Sequence, residues 1–138
     1  MNRSGFQLLA RTRIQESRAL LRQGHWPGAY YLSGYAVECG LKACIAKQTR
    51  KHDFPSDPST IRTMYTHNVE QLVKVAGLQP DQAKEAGADP VFAVNWAIVK
   101  DWSEQSRYEY RSQQEAEDLY GAIADRSHGV LRWIRRYW

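Results

Sequence analysis

Between Trp26 and Arg50 the chain reads WPGAYYLSGYAVECGLKACIAKQTR, its longest run of small and apolar residues. At 3.6 residues per turn this is about seven turns of helix, and the helix has almost no solvent face. Pro27 suits the first turn, where its missing N–H leaves nothing unpaired. Ala29, Leu32, Ser33, Ala36, Val37, Cys39, Gly40, Ala43 and Cys44 cover one broad arc. Tyr30, Gly34, Leu41 and Ile45 carry the apolar surface round its side, leaving a narrow strip of Tyr31, Tyr35, Glu38 and Lys42. A helix apolar nearly all round is the central rod of a bundle, and its small residues let neighbours approach closely. The rest of the chain has to supply the elements that cover it.

At 138 residues the chain suffices for one domain, residues 1–138, with a real hydrophobic core. Its 43% hydrophobic and 25% charged residues describe a globular rather than a disordered protein. The two cysteines, Cys39 and Cys44, fall in the central helix, five positions apart. That spacing separates them by about 7.5 Å of helical rise and points their side chains apart, which excludes a mutual disulfide. They read as small buried thiols of a reducing cytoplasm. The opening residues lack the apolar core and cleavage site of a secretory leader, and no apolar run approaches the roughly 20 residues that cross a bilayer. The expectation is a cytoplasmic protein with no membrane association. A net charge of +4 is compatible with an anionic partner without requiring one.

The covering elements are also helical. Phe6 to Gln23 places Phe6, Leu9, Ala10, Leu20 and Leu21 on one face, with Ile14 at its margin. Arg11, Gln15, Arg18 and Arg22 line the opposite face, a basic stripe that suits either solvent or a phosphate backbone. Arg13 projects on the apolar side near Ser17, there to pair with a carboxylate such as Glu38 or to snorkel past the core edge. Gly24 is a plausible C-cap before the hinge Gly24-His25-Trp26-Pro27. Lys51 to Thr66, with Pro55 and Asp57-Pro58, reads as a connection with a turn of helix near Ile61. His67 opens a short helix to Ala76, stopped by Gly77, and a second runs from Pro80 to Ala86. Asp89-Pro90, an N-cap followed by proline at N1, starts a helix from Val91 to Trp102, with Phe92, Trp96 and Val99 on one face and Val94 and Ile98 beside it. Ser103 to Arg111 is a polar connection.

Ser112-Gln113-Gln114-Glu115 is a capping box, and the pattern beyond it predicts one helix reaching Tyr137. Ala116, Leu119, Tyr120, Ile123, Ser127, Val130, Leu131, Ile134 and Tyr137 would share its inner face. Gly121 and Gly129 would sit on the outer face, and Trp133 and Trp138 would be exposed and sticky. With no strand-length alternation, the predicted fold is all-α, an up-and-down helical bundle of four main helices plus one or two short ones.

The usual enzyme signatures are missing. His25, His52, His67 and His128 have no metal-site spacing, so no metal is expected. No phosphate-binding glycine loop, dinucleotide fingerprint or nucleophile elbow is present, and no cofactor is implied. What remains is a handful of polar residues. Glu38 and Lys42 stand four apart in the favourable order, as an ion pair clipping the central helix to its neighbours or as groups facing a ligand. His67, at the head of its helix, can cap, bind an anion or pack. Arg107 offers a bidentate phosphate grip, and Trp102 and Tyr108 offer stacking surfaces; the arginine serves equally to close the loop onto a helix end.

Four features in order resemble the HEPN domain family. A first helix ends in a Gly-aromatic hinge, and Ala36-Val37-Glu38-Cys39-Gly40-Leu41-Lys42-Ala43 lies in the second. His67-Asn68-Val69-Glu70-Gln71-Leu72 follows a loop, and Trp102 precedes Ser106-Arg107-Tyr108. The pattern spans about Arg11 to Leu131. The resemblance implies an all-α bundle, usually a homodimer, working beside nucleotides or RNA. Some members partner minimal nucleotidyltransferases in toxin–antitoxin pairs, and others are metal-independent ribonucleases. The ribonuclease members carry an arginine with a histidine four to six residues later. Here that arginine maps to Arg107, and Ser112, Gln113 and Gln114 stand where the histidine would be. General acid–base catalysis depends on such a proton-transfer group. Arg62 and His67 meet the bare spacing but in another part of the fold. The expectation is therefore a binding or accessory module with Glu38, Lys42, His67, Trp102, Arg107 and Tyr108 at its ligand site. The alternatives are a ribonuclease in which Arg107 uses a histidine from elsewhere, such as His67, and a dimerisation scaffold without a small ligand.

Overall fold

The computed structural model describes residues 1–51, 62 and 64–138. They form seven α-helices and one 3-10 turn, with no strand among the described residues. In chain order these are α1 (Arg3–Arg22), α2 (Trp26–Lys51), α3 (Val69–Val75), α4 (Gln79–Ala88), α5 (Pro90–Val99), the 3-10 turn (Glu104–Tyr108), α6 (Gln113–Ala124) and α7 (Val130–Arg135). The all-α bundle expected from the sequence is the observed architecture.

α2 is its axis, packed against α1, α3, α6, α7 and the 3-10 turn. Ala36, Val37, Leu41 and Ala43 are fully buried, as a helix without a solvent face requires. α1 folds back along α2 through Gly24, whose φ of +78° suits a residue without a Cβ. The pairing is antiparallel: Leu20 meets Gly28, Ser17 donates to the Ala29 carbonyl at 2.7 Å and meets Ser33, and Arg13 lies over the Tyr35 ring. Arg13 takes its ion pair from Glu16, 2.7 Å away, rather than from Glu38.

Local capping chemistry set most of the helix starts. Asn2, Asn68, Asp89 and Ser112 each accept a backbone N–H of the following turn, and Ser112 and Glu115 complete the expected capping box. His67 therefore stands two residues ahead of α3, just outside its Asn68 cap, instead of opening it. α5 ends at Val99, and the Ser103–Arg111 connection contains the 3-10 turn, capped by the Ser103 side chain. Val94 is exposed rather than packed beside Phe92 and Trp96. The expected Lys51–Thr66 connection, with His52 and the turn near Ile61, falls mostly outside the described residues.

The largest correction concerns the last helix. It is broken at Asp125–Gly129, where the Asp125 carboxylate accepts the N–H groups of Ser127 and His128. A Cβ at Gly129 would lie 2.3 Å from the Asp125 carbonyl oxygen, so glycine is required by the closeness of the backbone and not tolerated on an outer face. Ser127 is exposed in the turn. Trp133 and Trp138 are buried, the former among Phe92, Trp96 and Tyr137. Redirecting α7 turns the Trp133 indole inward, where its apolar area contributes to the core. At Gly121 a Cβ would meet nothing, as an outward position should.

Candidate functional site

The polar strip of α2 is buried at Glu38 and half-buried at Tyr31, Tyr35 and Lys42. Glu38 is 2% exposed, and one of its oxygens, Oε1, receives two partners. Lys42 Nζ donates from one helical turn away at 2.9 Å, and His67 Nδ1 lies at 2.9 Å. The other ring nitrogen, His67 Nε2, is 3.0 Å from Glu104 Oε2 on the 3-10 turn. His67 thus ties the central helix to the turn that carries Arg107 and Tyr108.

This placement follows from local chemistry. Asn68 caps α3 by accepting the Gln71 N–H, and its own N–H donates to Thr66 Oγ1 at 3.2 Å. These two bonds hold the chain just ahead of the helix and leave the His67 ring, which is only partly exposed, free to bridge. An ionised carboxylate only accepts hydrogen bonds, while a neutral imidazole has one donor and one acceptor. Satisfying both contacts therefore needs the imidazolium or one protonated carboxyl group. Glu38 Oε2 and Ser106 Oγ are buried and have no hydrogen-bond partner among the described residues. A buried carboxylate is tolerable when it is paired, as Glu38 is on Oε1.

Trp102 is placed differently from expectation. It is 2% exposed, and its indole fills the notch above Gly34, beside the Tyr31 ring at 6.1 Å. It anchors the 3-10 turn and has no free face for stacking. Tyr108, by contrast, is 73% exposed, and the Arg107 guanidinium lies 4.9 Å over its ring. Arg107 is itself exposed and forms no ion pair among the described residues. The neighbouring Arg111 is ion-paired with Glu109 and Glu115 and lies over the Tyr30 ring. Arg107 is thus the uncommitted cation of this segment.

Lys42 also borders a groove of about 620 Å³ lined by Phe6, Ile45, Ala46, Met64 and Tyr65. Of the six candidate ligand residues, Glu38, Lys42 and His67 are in direct contact. Arg107 and Tyr108 stand together on the turn held by Glu104, and Trp102 supports that turn from inside. Sequence reasoning missed Glu104. Its only signal was a carboxylate after a capping serine in a polar segment, which does not reveal a partner 37 residues earlier. Among the described residues no group of three His, Cys, Asp or Glu side chains could hold a metal ion. His67 illustrates why: its two carboxylates occupy opposite edges of the ring. Comparison of the chain with protein-family models, curated proteins and solved structures finds no match.

Proposed function

We propose that this protein is a HEPN-like binding module, working as a homodimer, whose ligand is a nucleotide or an RNA segment held by Arg107 and Tyr108. The observation that carries the reading is the engagement of both His67 ring nitrogens by carboxylates. A histidine in that state organises a site, because neither nitrogen is available to take or give a proton until one contact breaks. What it organises is the turn bearing an unpaired guanidinium stacked on an exposed phenol, a pairing suited to a phosphate and a base. A nucleotidyltransferase partner of a toxin–antitoxin system fits the same module.

A second reading, a metal-independent ribonuclease, draws support from one contact. His67 reaches Glu104, three residues from Arg107, so a histidine from another segment lies near the family arginine. Incubation with mixed RNA in chelator, beside Arg107→Ala, separates the two. Cleavage by the unaltered protein that is lost in the variant overturns the binding-module reading. Thermal stabilisation by ATP, GTP or short RNA that is lost in Arg107→Ala, without cleavage, supports it. No stabilisation by any of them leaves the scaffold as the better description.

A further inference from the structure

The break between α6 and α7 builds a second surface that shares no residue with the Glu38 cluster. A concavity of about 300 Å³ lies at the corner of α1, α6 and α7. Its floor is apolar, formed by Ile14, Ile123 and Leu131, and Tyr120 lines it. Arg126, Arg132 and Arg135 stand around it, all exposed. Arg11 and Arg18 flank Ile14 at helical spacings of three and four, so the basic stripe of α1 borders the same opening. The Trp138 ring joins the two sides: Arg11 lies 5.2 Å above it and Arg135 5.6 Å from it.

These five guanidiniums form no ion pair among the described residues. Asp125, the carboxylate in the lining, is turned to its own backbone, accepting the Ser127 N–H at 2.9 Å and the His128 N–H at 2.6 Å. The acidic residues of α6, Glu115, Glu117 and Asp118, sit in its first half, whereas the concavity uses Tyr120, Ile123 and Ala124 of its second half. Two side-chain contacts tie the turn at this corner to α5. His128 binds Asp89 through Nδ1 at 2.7 Å, and its carbonyl accepts Asn95 Nδ2 at 2.9 Å. Five arginines around an opening whose lining holds one carboxylate, Asp125, leave a net positive potential there.

We propose that this corner binds single-stranded RNA, its guanidiniums on successive phosphates and one base set against Tyr120. A positive groove combined with an aromatic wall is how single strands are held without sequence preference. The volume is at the small end of the roughly 300–1,000 Å³ range of small-molecule pockets, which suits one ring. A membrane surface fits less well, because the apolar residues here are recessed and the arginines ring a hollow.

The test is fluorescence anisotropy of a short fluorescein-labelled single-stranded RNA, titrated with the protein across a salt series. Binding is expected to weaken with salt. The triple variant Arg126→Gln/Arg132→Gln/Arg135→Gln should lose affinity on the order of tenfold or more and reduce the log–log salt slope by about two, at roughly 0.7 per phosphate contact. Arg126→Gln alone, which removes an exposed guanidinium with no hydrogen bond or ion pair among the described residues, should show a smaller shift of the same kind and guards against misfolding. Tyr120→Leu should lower affinity without changing the slope. The triple variant's effect should persist in an Arg107→Ala background, which separates this surface from the proposed ligand site. The proposal is overturned if the RNA does not bind, if the arginine variants leave affinity and slope unchanged, or if Tyr120→Leu has no effect. It is also overturned if anionic phosphatidylglycerol vesicles bind through the same arginines in preference to RNA.

Discussion

A Cβ built on Gly34 would lie 2.2 Å from the indole of Trp102. The central helix has a notch at this position, and the residue that precedes the 3-10 turn fills it. Gly34 therefore sets where Arg107 and Tyr108 stand, through a buried indole.

Gly34→Ala should accordingly destabilise the fold although alanine is the better helix former. The gain in helix propensity, about 1 kcal/mol, is outweighed by displacement of a buried indole, since overpacking costs typically about 1–3 kcal/mol and here the clash is severe. Urea unfolding should show a net loss of stability. Tryptophan emission, to which five indoles contribute, should shift to longer wavelength as the Trp102 ring gains solvent.

Glu38→Ala should be more damaging than its single helical position suggests. It removes the common acceptor of Lys42 and His67 and leaves a part-buried ammonium without a partner. Breaking a buried pair from one side costs about 3–5 kcal/mol, against about half a kcal/mol for an exposed pair four residues apart. Lys42→Met should cost less than Glu38→Ala, because His67 still serves the carboxylate. Chemical unfolding of the two variants in parallel checks the order.

The Asp89 carboxyl is held below the usual carboxylate range, chiefly by its hydrogen bond to His128 and then by the N–H groups it caps at the start of α5. A depressed folded-state value contributes stability that is present above the unfolded value of about 3.9 and is lost as pH falls through the folded one. The α5–α7 corner should thus loosen in acid. Asp89→Asn keeps a capping side chain but removes this titration, so its melting temperature should fall less steeply than the parent's below about pH 4. Equal slopes for the two proteins would contradict the assignment.

Cys39 and Cys44 should be unreactive in the folded protein. Burial pushes each thiol up to about 12, with the Glu38 charge adding to the effect at Cys39, so almost no thiolate forms at neutral pH. Iodoacetamide at neutral pH should leave both unmodified by intact mass and modify both in denaturant. Rapid labelling of either under native conditions would show that α2 is more accessible than its packing indicates.

Much of the fold was legible along the chain. The apolar circumference of residues 26–50 made α2 central, and Asp89-Pro90 and Ser112–Glu115 marked their helix starts, because a cap acts within one turn. Glu38 and Lys42 could be paired for the same reason. The last helix misled: Val130, Leu131 and Ile134 continue the period of Ala116, Leu119 and Ile123, and nothing in that periodicity registers the Asp125 side chain turning back to bond Ser127 and His128. The error carried Trp133 and Trp138 to the surface and Ser127 to the core.

The sequence by itself determined the helices, their caps and the burial of α2, since these follow from hydrogen bonds and side-chain periodicity within a few residues. Tertiary structure decided what each polar group meets. Glu38, His67 and Glu104 are far apart in the chain and converge only because α3 and the 3-10 turn both dock on α2. Arg132 and Arg135 stand one turn apart on one face, but Arg126 would point away from both on a continuous helix and joins them only where α6 and α7 part. A buried charge must find its partner wherever packing places one, and that constraint has no fixed spacing in a sequence.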